Sequence, residues 1–286
     1  MIIVTGTKRS GTSMWMQILR AAGFPALGDA FPSDWGETIR DANEGGFYES
    51  PLRGGIYYAT NPHPTSGAFL PPQASRRVVV KVFATGLAKS DLAYVDRVIA
   101  SMRPWREYAT SLERLYTMER ENRRAKAERE GATDQLVDYE KLSPVLEWWR
   151  DNYVLVRDAL VRRYPLHMIS YASVLRSPEQ VVGETIQWLG AGDAQKAIAA
   201  VREELRTQET RELENSGVTP EQEALFDELY AHIDERRPLT GALIDRLNDT
   251  HEVLGPRIAE AEEHSRSERL RALGRAKAAR AAVRQD

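Results

Sequence analysis

The chain of 286 residues contains no cysteine. This absence excludes disulfide bonds, thiolate metal sites and cysteine nucleophiles. Long apolar runs are also missing: nowhere does the sequence hold about 18 consecutive apolar residues, the length that a membrane-spanning helix needs. Neither sign of charge dominates, because 39 basic side chains stand against 42 acidic ones and the formal net charge is −3. General affinity for nucleic acid needs a clear basic excess, so the composition argues against nucleic acid as a partner.

The length allows one large α/β domain with an accessory helical region. Short apolar segments predict strands at residues 2–5, 77–83, 98–102 and 166–170, with helical patterns between them. This alternation predicts a parallel sheet with helices on both faces. We expect an α/β domain over residues 1–215 and a helical C-terminal extension over residues 216–286.

Other segments carry weaker signals. Residues 23–72 are irregular and rich in Gly, Pro and aromatics, which predicts a functional segment on the acceptor side of a site. The highly charged helix at 114–132 is interpreted as a solvated face or a lid, and 219–251 as a helical pair. The basic helix at 265–286 either ends in solvent or packs on a second subunit, so a homo-oligomer stays possible. The N-terminus enters a strand directly and leaves no room for a signal peptide, which predicts a cytoplasmic protein.

The first fifteen residues, MIIVTGTKRSGTSMW, carry the clearest functional signal. A strand, a Gly-containing loop and a helix start together form a phosphate cradle, since backbone N–H groups converge where the helix dipole is positive. Gly6 and Gly11 keep the spacing of the nucleotide triphosphatase loop G-x-x-x-x-G-K-[ST], but Thr12 stands at the Lys position. The cations, Lys8 and Arg9, lie inside the loop instead. The loop therefore suits a phosphate or sulfate group better than ATP or GTP hydrolysis.

A second block lies where the strand at 98–102 ends. Arg103 closes this strand, and Ser111 follows eight residues later in a helical pattern. A guanidinium group recognises phosphate through two parallel hydrogen bonds, and a hydroxyl on the first helical turns adds a donor.

Together, these blocks resemble sulfotransferases that use 3′-phosphoadenosine 5′-phosphosulfate (PAPS), in which Lys or Arg precedes Ser-Gly-Thr and an Arg–Ser pair contacts the 3′-phosphate. The resemblance implies a P-loop-like sheet and PAPS as cosubstrate. Its 5′-phosphosulfate would be bound by the loop residues Lys8, Arg9, Ser10, Gly11, Thr12 and Ser13, and its 3′-phosphate by Arg103 and Ser111. Residues 148–190 resemble the family more loosely, and they put Tyr171 where relatives hold a Tyr against the adenine. The acidic pair that follows this Tyr in relatives is replaced by Ala172 and Ser173.

Sulfuryl transfer needs cations near the transferring group and a base for the acceptor hydroxyl. Arg9 matches the first role, and Lys81 matches the family's strand-end Lys at the leaving oxygen. Phe83 stands where the cytosolic branch has its catalytic His, so another base is needed. Glu49 is the first candidate, because NEGGFYE resembles the G-[YF]-[FW]-E segment of bacterial-type relatives. His63 is the second, because its ordinary pKa suits proton transfer.

The resemblance implies transfer of a sulfuryl group from PAPS to a hydroxyl or amine of a small molecule, sugar or lipid, with no metal required. Two alternatives stay open. A P-loop kinase would need a Lys at position 12 and a strand-end acid for Mg²⁺, and neither is where it is expected. A non-catalytic nucleotide-binding protein of the same fold would need only the phosphate sites.

Overall fold

A computed structural model describes residues 1–31, 45–129, 131, 141–201 and 215–283. Its centre is a five-stranded, all-parallel sheet of order β2-β3-β1-β4-β5. The strands are β1 (Ile2–Gly6), β2 (Ala26–Leu27), β3 (Val79–Lys81), β4 (Arg97–Met102) and β5 (Leu166–Ser170). Every residue of β1 is buried, as expected for a parallel strand covered on both faces. The chain is therefore an α/β protein, as the sequence predicts.

Nine helices of the described residues surround this sheet. They are α1 (Thr12–Ala21), α2 (Ala84–Leu87), α3 (Trp105–Arg129), α4 (Pro144–Arg162), α5 (Tyr171–Arg176), α6 (Pro178–Leu189), α7 (Ala194–Ala199), α8 (Pro220–Asp234) and α9 (Gly241–Val283). Short 3₁₀ turns occur at Pro51–Gly54, Pro72–Ser75 and Leu92–Tyr94. None of the described helices combines the length and the apolar character that a membrane crossing demands.

Alternate side chains of β1 enter separate cores on the two faces of the sheet. Ile2 and Val4 pack in one core with residues of α1 and α6. Ile3 packs in the other, with Leu87 of α2 and Leu155 of α4. This alternation follows from the two-residue period of a strand and fixes the register of β1.

A third core joins the C-terminal helices to α3 and α4. Phe226 of α8 is fully buried and stacks on Trp149, with ring centroids 4.9 Å apart. It also lies 6.1 Å from Trp105 at the start of α3 and 5.4 Å from Trp148. The helices after residue 215 are thus packed onto α3 and α4, the two described helices that connect β4 to β5.

The sequence located four of the five strands. The strands predicted at 2–5, 98–102 and 166–170 agree with β1, β4 and β5, whereas 77–83 shortens to Val79–Lys81. The missed strand, β2, has only two residues and lies inside the irregular segment 23–72, where no periodicity could reveal it. Part of that segment, residues 32–44, is outside the described residues, as are 130, 132–140, 202–214 and 284–286.

Candidate functional site

The candidate site lies at the carboxyl edge of the sheet, beside β1. The chain pairs β3 with one side of β1 and then crosses to pair β4 with the other. In open parallel sheets, ligands bind outside the carboxyl ends where the strand order reverses in this way. The loop between β1 and α1 stands at that point.

The loop backbone is folded tightly and requires its glycines. Gly6 has φ 139° and Gly11 has φ 99°, in the region that favours glycine. A Cβ on Gly6 would lie 2.3 Å from the Ser101 carbonyl oxygen, and one on Gly11 would lie 2.7 Å from Cδ2 of Tyr171. The loop therefore packs directly against the end of β4 and the start of α5.

Hydroxyl groups hold the loop in this shape. The Ser10 hydroxyl donates to the Thr7 carbonyl oxygen at 2.7 Å, and the Ser101 hydroxyl donates to the Ser10 carbonyl oxygen at 2.5 Å. Gly11 is the N-cap of α1, and no side chain caps the first amides of the helix. Such uncapped N–H groups are suited to an anionic ligand.

The two sequence blocks meet at this loop. Arg103 donates from Nη1 to the Arg9 carbonyl oxygen at 3.1 Å. Arg9 in turn donates from Nε to the Ser111 hydroxyl at 3.3 Å. The Tyr171 ring lies 4.4 Å from the Arg103 guanidinium carbon. Residues predicted from three separate segments thus form one cluster.

The positive charges of Arg103 and Arg9 differ in whether a carboxylate balances them. Arg103 is buried and forms an ion pair with Glu107, with Nε 3.3 Å from Oε2. Arg9 has no carboxylate partner in the described part of the chain. Burial lowers the pKa of Arg9, and the neighbouring charges of Arg103 and Arg114 lower it further. A bound anion would stabilise the positive charge of Arg9, so the cluster is suited to a negatively charged ligand.

Lys8, the other loop cation, is directed away from this cluster. Its ammonium lies 3.0 Å from Oε1 of Glu147, a buried residue of α4. The other Glu147 oxygen accepts from the Tyr116 hydroxyl at 2.8 Å. The sequence did not single out Glu147, which lies in a tryptophan-rich helix far along the chain and carries no local signal.

Lys81 ends β3 beside the first turn of α1. Its side chain is only 4% exposed, and Nζ lies 2.7 Å from Oε1 of Glu49. Lys81 also donates to the Ser13 hydroxyl at 3.3 Å and to the Phe47 carbonyl oxygen. Burial lowers the pKa of Lys81, while the Glu49 charge opposes that shift. The predicted leaving-group cation and the first candidate base are therefore in direct contact.

Glu49 retains one oxygen for further contacts. Its Oε2 is buried and has no hydrogen-bond partner among the described residues; Nη1 of Arg53 is the nearby cation, at 3.7 Å. A buried carboxylate oxygen without a donor is costly unless something else supplies a proton or a hydrogen bond. This oxygen can accept from a hydroxyl or an amine.

The structure does not bring His63 to these residues. His63 Nδ1 accepts from the backbone amides of Thr65 and Ser66, within its own turn. Its loop is tied to Tyr94 by Asn61, whose side-chain amide donates to the Tyr94 hydroxyl at 2.8 Å. Tyr94 precedes β4 at the amino edge of the sheet, opposite the edge that carries the loop between β1 and α1.

The comparisons with known proteins add no relative. No family model, curated protein or solved structure matches the chain. Within the described residues, no group of three or more His, Asp or Glu side chains could hold a metal ion.

Proposed function

We propose that the protein is a PAPS-dependent sulfotransferase, which moves the sulfuryl group to a hydroxyl or amine of a small-molecule, sugar or lipid acceptor. The observation that carries the proposal is the convergence of Arg9, Arg103 and Ser111 beside an uncapped helix start. Arg9 lies more than 90 residues before Arg103 and Ser111 in the sequence, and all three are residue types that commonly contact phosphate. A parallel sheet with a glycine-dependent loop after its central strand supports the P-loop-like interpretation.

The cluster offers two anion sites rather than one. The loop amides and the first turn of α1 would receive the 5′-phosphosulfate. Arg103 and Ser111 would receive the 3′-phosphate, with Arg9 between the two sites. Tyr171 lies over Arg103 and against Gly11, where a flat ring can border the nucleotide. A nucleotide with a phosphate at each end of its ribose matches this arrangement better than ADP does.

Lys81 and Glu49 supply the groups for transfer. Charge grows on the oxygen that leaves with the nucleotide, and the buried Lys81 ammonium beside α1 would stabilise it. Glu49 has two possible roles, because it both pairs with Lys81 and keeps an oxygen without a donor. It either orients Lys81 or accepts the proton of the acceptor hydroxyl.

The direct test is turnover of sulfur-labelled PAPS with a panel of alcohols, phenols and amines. We expect label to appear in at least one acceptor. Nucleotide binding without transfer to any acceptor would favour a non-catalytic nucleotide-binding protein. Transfer of phosphate from ATP would support the kinase alternative.

A further inference from the structure

The charged helix α3 carries an arginine, Arg114, on the same face as Ser111, and none of the proposed roles uses it. Glu107, Ser111 and Arg114 follow one another at spacings of four and three residues, so they share one face of α3. Ser111 on this face already accepts the hydrogen bond from Arg9. Arg114 continues the same face by about 4.5 Å along the axis, and it is exposed.

Arg114 is also uncompensated. Its neighbours three and four residues away are Thr110, Ser111, Thr117 and Met118, none of which is acidic. In the described part of the chain, no ion pair or hydrogen bond occupies its guanidinium group. By contrast, Arg106 near the start of the same helix is paired with Glu223 and Asp227 of α8.

The positive charge of Arg114 acts on Arg9 in the candidate site. Arg114 lies close enough to Arg9 for its positive charge to lower the Arg9 pKa, as Arg103 does, and no carboxylate is among the groups that shift the Arg9 pKa. Arg9, Arg103 and Arg114 thus bring three positive charges to this part of the molecule, with Glu107 as the carboxylate paired to Arg103. Like charges gathered in this way, partly out of water, are stabilised by an anion that they share.

We propose that Arg114 is a third anion-binding arginine, which reaches over Ser111 to the 3′-phosphate of the nucleotide. This inference rests on the proposed function, since it needs a ligand with a phosphate at that position. An exposed guanidinium group contributes less binding free energy than a buried one, because water screens its charge. It can still recognise a phosphate monoester through two parallel N–H groups. Arg114 would therefore help to distinguish a 3′-phosphate from a 3′-hydroxyl.

The test compares Arg114→Gln with Arg120→Gln by calorimetry, using 3′-phosphoadenosine 5′-phosphate and ADP. Arg120 is a matched control: it is exposed on the same helix, has no acidic neighbour three or four residues away, and has no described contact. We expect Arg114→Gln to weaken 3′-phosphoadenosine 5′-phosphate about 10-fold and to leave ADP and the thermal midpoint unchanged. This loss should shrink at about 1 M salt, where the Debye length falls to about 3 Å.

The possible failures are distinguishable. If Arg114→Gln binds both nucleotides as Arg120→Gln does, while the wild-type protein prefers the 3′-phosphorylated nucleotide, this inference is wrong and the proposed function stands. If Arg114→Gln instead raises only the KM for the acceptor, the arginine binds the acceptor and the inference is also wrong. A wild-type protein without any preference would overturn the proposed function and this inference with it.

Discussion

Replacement of Arg103 by Ala tests the nucleotide assignment most directly, because this residue acts on both parts of the site. Arg103 supports the loop through a hydrogen bond from its Nη1 to the Arg9 carbonyl oxygen, at 3.1 Å. Its guanidinium group is also expected to contact the 3′-phosphate. Loss of the support should weaken every nucleotide by about 1 kcal/mol, or about 5-fold. Loss of the charge-assisted phosphate contact should cost a further 1.5–3 kcal/mol, or about 10- to 150-fold, for the 3′-phosphorylated nucleotide alone.

The measurement is calorimetry of 3′-phosphoadenosine 5′-phosphate and ADP with the wild-type protein and Arg103→Ala. Arg106→Ala is the control, because Arg106 lies three residues further along, in the first turn of α3, but is paired with Glu223 and Asp227. The control should keep the preference for the 3′-phosphorylated nucleotide, and circular dichroism should show that both variants are folded. Equal affinity of the wild-type protein for the two nucleotides, or an unchanged preference in Arg103→Ala, would refute the reasoning.

Other predictions concern transfer and stability. Lys81→Met should lower kcat sharply with little change in nucleotide affinity, because Lys81 is expected to act mainly in the transition state; a change confined to nucleotide affinity would contradict this. Glu49→Gln should lower turnover about 10²- to 10⁴-fold if Glu49 is the base, whereas near-normal turnover in Glu49→Gln with loss in His63→Ala would identify His63. EDTA should leave activity intact, since Arg9, Lys81 and the loop amides supply the positive field; loss restored by Mg²⁺ would revive the kinase alternative. Phe226→Ala should reduce the free energy of unfolding by about 3–5 kcal/mol. A loss below about 1 kcal/mol in urea denaturation would show that Phe226 contributes little to the stability of the protein.

Local patterns in the sequence were enough to predict the loop between β1 and α1 and the Arg103–Ser111 block as candidate phosphate sites. Each of these is a short segment whose residue types and spacing carry the chemistry, so both can be recognised without knowledge of the rest of the chain. Their meeting could be expected only in general terms, because parallel strands bring their carboxyl ends to one edge. The hydrogen bond from Arg9 to Ser111 joins residues that no local pattern connects.

The partners of the cations were harder to predict. The loop sequence predicts that Lys8 binds the ligand together with Arg9, yet the Lys8 ammonium lies against Glu147, 139 positions further along the chain. Glu49 and His63 both looked suitable as bases, because residue type alone does not say which edge of the sheet a loop reaches. The tie between Asn61 and Tyr94 decides that question for the His63 loop, and it depends on tertiary packing.

The aromatic contacts of Phe226 have a consequence for how the protein can be divided. Phe226 covers Trp148, whose indole N–H donates to the Arg103 carbonyl oxygen at 2.8 Å. A chain shortened at residue 215 would leave this tryptophan and its neighbours facing water, and each buried aromatic side chain accounts for about 150–250 Å² of surface. An apolar patch of that size promotes aggregation. The C-terminal helices therefore cannot be removed as an appendage, and a search for the minimal active fragment should shorten the chain from the far end of α9 instead.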